Sequence, residues 1–224
     1  MKYYLCFCKH SKILKESLVL IGGGGHCKSC IDVIESENRF QIAGILDVPE
    51  HQGQEVSGYP VIGVDEDIPQ LARTYKYFFI TVGHIQSPGF RIEMFSYLNE
   101  LGVQIPVIIS PSAQVSGKAH IGKGTIVMHQ AIVNTEARIG VNCILNSGSL
   151  VEHESMVGDH CHISTKTVLN GQCRVGSRCF IGSCTVLANN ISIPDDTLIS
   201  AGSVVLRSLI KSGTYIGNPL RKIR

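Results

Sequence analysis

Every sixth residue from Ile109 to Val205 is Ile, Val or Leu, with no slip of frame. The series begins Ile109, Val115, Ile121, Val127 and ends Ile193, Ile199, Val205, so 17 positions of 17 are aliphatic. Apolar residues of all kinds make up 44% of the chain. An accidental run of this length therefore has a probability on the order of one in a million. The fourth residue after each aliphatic one is small, as at Ala131, Cys143, Ser155, Thr167 and Cys179, and only Ile191 and Leu209 break that rule.

A helix repeats at about 3.6 residues and a strand at about 2, so neither explains this spacing. A solenoid does, with each hexapeptide forming one short side of a triangular coil. The aliphatic residue points inward, and the small residue sits where interior space is tight. Three hexapeptides make a coil of roughly 18 residues, and about five and a half such coils stack into a prism. This stretch resembles the hexapeptide-repeat transferases, whose fold is a left-handed parallel β-helix. The resemblance supplies the handedness, because the general crossover rule favours the right hand.

The preceding residues read differently. Ser17 to Ile21 is a short apolar strand running into Gly22-Gly23-Gly24-Gly25-His26, followed by a helical pattern with Ile31, Val33 and Ile34 on its apolar side. Strands are expected at Phe40 to Leu46, ending in Asp47, and at Tyr77 to Val82, ending in Gly83-His84. A helix is expected over 88–102, stopped by Gly102, before a last strand at Val107 to Ile109. Alternating β and α elements describe a small parallel sheet flanked by helices. The resulting division is an N-terminal extension at 1–16, a Rossmann-like α/β domain at 17–106, a β-helix at 107–212 and a C-terminal tail at 213–224.

Composition narrows the function. A net charge of +2, with 17% charged residues, gives no electrostatic footprint for nucleic acid. No apolar run approaches the roughly 18 residues of a membrane span, and Tyr3 to Cys8 is too short for a signal-peptide core. A cytoplasmic protein with reduced thiols is expected. Cys27-Lys-Ser-Cys30 has redox or zinc spacing, but with no second pair it reads as the start of a helix. Cys143, Cys161, Cys173 and Cys179 fall in the small inward slot and read as core.

Because the inner positions are apolar, chemistry must come from outward residues. In Glu152-His153-Glu154 an imidazole, the natural general base near neutral pH, stands beside a carboxylate that can hold its proton on one nitrogen. The glycine run lies where strand gives way to helix, a place that favours phosphate, though Cys27 or Lys28 stands where a dinucleotide fingerprint has its third glycine. Asp47, at a strand end, can accept from a sugar hydroxyl.

Gly25-His26, Asp47, Gly83, Leu145-Asn146, Val151-Glu152-His153-Glu154 and Gly217-Asn218-Pro219 together resemble one family over residues 17–224. It comprises bacterial sugar acetyltransferases, of the sialic-acid O-acetyltransferase type and of the type that N-acetylates nucleotide-linked 4-amino sugars. The resemblance implies acetyl-CoA as co-substrate, His153 as general base and Glu154 as the carboxylate that raises its basicity. It places His162, Gly171, Ser183 and Ala201 along the coenzyme and Asn146 near the site. Gly24, Gly25, His26, Asp47 and Gly83 fall where the family holds the nucleotide sugar. Val48 replaces a second acidic residue found in some members, and Leu220 the commoner Ala of the closing motif.

The expected reaction is N-acetylation of the 4-amino group of a UDP- or GDP-linked amino-deoxy sugar for a surface glycan. O-acetylation of sialic acid or a related nonulosonic acid is the alternative, and a non-catalytic sugar- or nucleotide-binding β-helix is a reading of another class. No metal is expected, because no His pair has the spacing of the trimeric zinc hydratases. His153 and His162 are nine residues apart, half of a coil, so one chain cannot bring both to one acetyl group. A homotrimer that shares its sites is the expected assembly.

Overall fold

The computed structural model describes residues 15–218 and 221–223. Most of the expected extension, residues 1–14, and Pro219, Leu220 and Arg224 at the closing motif lie outside the described residues. In the α/β domain, β1 (Glu16–Ile21), β2 (Phe40–Leu46), β3 (Glu55–Val56), β4 (Tyr59–Gly63) and β5 (Tyr77–Ile80) form one sheet in the order β3-β4-β2-β1-β5. All pairs are parallel except β3 with β4. Helices α1 (Gly25–Glu37), α2 (Ile68–Leu71) and α3 (Gly89–Glu100) complete it. Helix α1 buries Cys27, Cys30, Ile31 and Ile34 at helical spacing and stops at Asn38, which takes the left-handed conformation at φ 59°. The Cys-Lys-Ser-Cys segment is thus helix interior, with both thiols buried.

From Ile108 onward the chain winds as a left-handed parallel β-helix with three faces. The first carries strands such as Ile126–Val127, Ile144–Leu145 and His162–Ile163; the second Ile132–Val133, Leu150–Val151 and Val168–Leu169; the third Arg138–Ile139, Met156–Val157 and Arg174–Val175. Register between coils is an unbroken 18 residues, as in Ile144↔His162 and Leu150↔Val168. The second residue of each two-residue strand points inward, and the aliphatic ladder from Val127 to Val205 fills one continuous core. Ile109, Val115 and Ile121, in the first coil, are only partly buried. The segment expected as a tail instead adds Gly213–Ile216 as a further parallel strand beside Thr197–Ile199.

The corners have a rule of their own. Every sixth residue from Gly124 to Gly202 has φ between +54° and +73°, the left-handed region, although only Gly124, Gly148 and Gly202 among them are glycine. Glu154 is one of these corner residues. The small inward residues do more than save space. Thr125, Cys143, Cys161 and Cys179 stack, and their side chains donate to Gly140 O, Gly158 O, Gly176 O and Pro194 O in the next coil at 2.9, 3.1, 3.0 and 3.2 Å. Thr125, Cys143 and Cys161 each also accept from the backbone N–H of the next member, as Cys161 N to Cys143 Sγ at 3.4 Å. A hydroxyl or thiol therefore satisfies corner carbonyls that an apolar side chain would leave bare.

The outward residues of the three faces differ. On the first face Ile108, Ile126 and Ile144 are buried against the α/β domain, in one cluster with Cys27, Cys30, Ile31 and Ile34 of α1. The third face presents His120, Arg138, Met156, Arg174 and Ser192, all exposed. The second presents Ile132, Leu150, Val168, Val186 and Val204, an apolar column left partly exposed.

Leu169 is fully buried in the central coils, so Leu169→Ala is expected to cost about 2–5 kcal/mol by leaving a cavity between neighbouring rungs. Met156→Ala on the third face should change stability by less than about 0.5 kcal/mol. Denaturant titration of the two variants checks the contrast.

Candidate active site

His153 lies in the corner between the second and third faces, immediately before the left-handed Glu154. Its imidazole lies over Gly171 of the next coil: a Cβ at that position would fall 2.6 Å from both Cε1 and Nε2 of the ring. Gly171 is thus the floor on which the ring rests. His153 Nδ1 lies 3.1 Å from Glu154 Oε2, and Gln172 Nε2 donates to the same oxygen at 3.1 Å. These hydrogen bonds, from His153 first and Gln172 second, hold the Glu154 carboxyl below its ordinary range. An ionised Glu154 accepts the Nδ1 proton and leaves the Nε2 lone pair free, the arrangement of a general base. Glu152 accepts from Asn134 Nδ2 at 2.8 Å and from the His153 N–H at 3.2 Å, which fixes the backbone beneath.

A second cluster lies on the first face, where the α/β domain docks. His162 is buried there, with Nδ1 2.8 Å from His84 O and Nε2 3.2 Å from Asn146 Nδ2. A carbonyl can only accept, so Nδ1 carries the proton and Nε2 accepts from Asn146. The His84 and His26 rings lie 5.5 and 6.3 Å from that of His162, centroid to centroid. Burial, with smaller contributions from neighbouring histidines and Arg91, lowers the pKa of His26 to about 4 and that of His84 to about 3. Burial likewise brings His162 to about 4, against the raising effect of its bond to His84 O. All three are neutral at pH 7.

Gly24 and Gly25 open helix α1, and a Cβ at either would meet nothing within 4 Å, so the helix N-terminus is open to a ligand. Gly83 passes close to His26, whose Cβ would be 3.4 Å from a Cβ at 83. Asp47 accepts from His51 Nδ1 at 2.8 Å at the mouth of a groove of about 390 Å³. That groove lies across the strand ends and is lined by Gly22, Asp47, Val48, Asp65, Val82 and Phe90 among others. Ligands of open α/β sheets bind at this edge. Burial, then the neighbouring Glu66 and Asp47, raises the Asp65 carboxyl. A larger hollow of about 700 Å³ runs along the third face, and neither cluster borders it.

Ser183 and Ala201 stand at the corner between the first and second faces, where Ser183 Oγ lies 2.9 Å from Ser164 Oγ. Within one chain the expected residues therefore form separate groups. His153, Glu154 and Gly171 occupy one corner, Ser183 and Ala201 another, and His162, His26 and Gly83 the domain junction. Sequence reasoning passed over Arg91, buried in that junction, and the carbonyl of His84. The helix that carries Arg91 also holds Glu93, Ser96, Asn99 and Glu100, so the arginine does not stand out along the chain.

Residues 17–97 match the family model of the PglD N-terminal domain. A histidine-to-asparagine variant of perosamine N-acetyltransferase from Caulobacter crescentus, in complex with CoA and GDP-perosamine, is 30% identical with a TM-score of 0.87. The match covers 93% of this chain and 97% of that one. The chain belongs to the hexapeptide-repeat nucleotide-sugar acetyltransferases. Also similar to this acetyltransferase is the acetyltransferase domain of PglB from Neisseria gonorrhoeae FA1090, in complex with acetyl coenzyme A. It is 27% identical with a TM-score of 0.82, over 94% of this chain and 100% of that one. WeeI from Acinetobacter baumannii AYE, at 21% identity and a TM-score of 0.81 over 93% and 100% of the two chains, shares the fold. No curated protein sequence matches significantly. Among the described residues of the acetyltransferase, no helix is long and apolar enough to cross a membrane, and no group of three or more His, Cys, Asp or Glu is placed to hold a metal ion.

The buried histidines give the stability of the acetyltransferase a pH dependence. Their folded pKa values lie below the ordinary 6.5, so the unfolded chain binds more protons between about pH 6.5 and pH 4. Stability is full above that window and is lost as pH falls through it, by up to about 3 kcal/mol per group. Denaturant midpoints measured across the window test this; a flat profile from pH 7 to pH 4.5 would contradict it.

Proposed function

We propose that this acetyltransferase moves the acetyl group of acetyl-CoA to the 4-amino group of a UDP- or GDP-linked amino-deoxy sugar. The observation that carries the reading is the His153 ring, set on Gly171 with Nδ1 turned to Glu154 and Nε2 left free. The neutral amine attacks the thioester carbonyl, a backbone amide stabilises the oxyanion, and His153 Nε2 takes the proton the nitrogen loses. Collapse of the tetrahedral intermediate expels the thiolate of CoA, which receives that proton. The similar protein with CoA and GDP-perosamine bound supports a nucleotide-linked amino sugar as acceptor. His162, Ser183 and Ala201 are assigned to the coenzyme, and the α1 N-terminus, His26, Asp47 and Gly83 to the nucleotide sugar. Both substrates suit a cytoplasmic enzyme feeding a surface glycan.

His153→Ala is expected to keep the fold and lower turnover by about two to four orders of magnitude, as loss of a general base does. The assay is release of CoA with UDP- and GDP-linked 4-amino sugars, and with free nonulosonic acids as the hydroxyl-bearing competitors. Near-normal turnover in the variant removes His153 from the mechanism, and activity on the nonulosonic acids alone moves the reaction to oxygen.

The working form is proposed to be a homotrimer built on the second face. Its outward column, Ile132, Leu150, Val168, Val186 and Val204, is apolar and partly exposed, whereas the first face packs against the α/β domain and the third is mostly polar. Association around a three-fold axis through this column would bury it and set the His153 corner of one copy beside the first face of the next. His153 would then reach the His162 cluster that its own chain holds on another side. Leu150→Arg is expected to yield monomers in sedimentation analysis and to remove activity while the coil stays folded. Monomers with full turnover would refute the shared site.

A further inference from the structure

Arg91 is the one large charged side chain among the fully buried ones, at 1% exposure on α3, and among the described residues it makes no ion pair with a carboxylate. Its partners are backbone and amide oxygens on both sides of the junction. Nη1 donates to Ile80 O at 3.1 Å and Val82 O at 2.6 Å, at the end of β5. Nη2 donates to Asn142 O at 3.1 Å and Asn142 Oδ1 at 2.5 Å, in a corner of the β-helix. Asn142 returns a bond from Nδ2 to Arg91 O at 2.9 Å. Asn142 occupies one of the left-handed corner positions, at φ 54°. On the other side of β5, Thr81 Oγ1 donates to Ile21 O at 2.8 Å and Gly22 O at 2.6 Å.

Two residues beyond Val82 comes the carbonyl of His84, the acceptor that sets the His162 tautomer. We propose that Arg91 is a positioning residue. Its guanidinium pins the segment Val82–His84 to the coil, so that His84 O holds the His162 ring with Nδ1 protonated and Nε2 as the acceptor. The role rests on the assignment of His162 to the coenzyme. A planar fork suits it because one guanidinium spans carbonyls on both domains; an ammonium is a single point of donation and cannot span them in the same way. Burying a cation without a counter-ion is costly, and the acceptors ranged around Arg91 offset that cost.

The test uses the full-length enzyme with histidine labelled by nitrogen-15. Two-bond nitrogen–proton spectra should show His162 as the single Nδ1–H tautomer in the unmodified protein and as a mixture in Arg91→Met. Asn142→Gly keeps the left-handed backbone and its carbonyl and removes the coil-side amide with its bonds to Arg91 and His160, so it serves if Arg91→Met does not fold. In either folded variant kcat/KM for acetyl-CoA should fall about 10- to 100-fold, the scale of a small misplacement of a reacting group. Arg91→Lys should recover part of that loss. A folded variant that keeps one His162 tautomer and kcat/KM within about twofold overturns the proposal. His162→Ala separates the two claims: normal turnover there would discard the coenzyme assignment, while the tautomer spectrum still decides what Arg91 does.

Discussion

The structure depends on the stacking of aliphatic side chains at an 18-residue register inside the coil. Each inward Ile, Val or Leu touches its counterparts in the coils before and after, so no coil has a core of its own and each supplies part of its neighbour's. The parallel ladders fix the rise, the left-handed corner residues fix the turn, and every outward side chain has its place set by those two quantities. The ring of His153 over Gly171 follows from this geometry, because residues one coil apart are stacked and one of the two has no side chain.

Much of this was legible in the sequence. The six-residue period announced the coil and its inward residues, and the alternation of strand and helix before it announced the small sheet. The readings that needed more were those in which the side chain's partner is distant along the chain. Cys161 reads as small and apolar, yet it links Cys143 to Gly176 O through hydrogen bonds 18 and 15 residues away. Arg91 reads as one charge on a helix, and nothing in its neighbourhood along the chain names Asn142 as its partner. The His153–Glu154 pair was legible because its partners are adjacent, and the separation of His153 from His162 because half a coil is simple arithmetic.

Two kinds of histidine result. His153 is exposed at a corner, beside an ionised carboxylate that orders its tautomer. His26, His84 and His162 are packed into the junction, where burial keeps them uncharged and a carbonyl orders the tautomer of His162. The same side chain therefore serves as a candidate proton acceptor in one setting and as a fixed hydrogen-bonding group in the other.

The packing of α1 against Ile108, Ile126 and Ile144 has a kinetic consequence. The sheet domain and the coil share one apolar core, with Arg91 and Asn142 bonded across it, and a hinge would have to tear that core open. Enzymes that enclose their substrates between mobile domains can be limited by the opening step. Here the two halves are joined through that core, so ligands reach the groove along its open rim, where Val48 and Phe90 at the start of α3 stand.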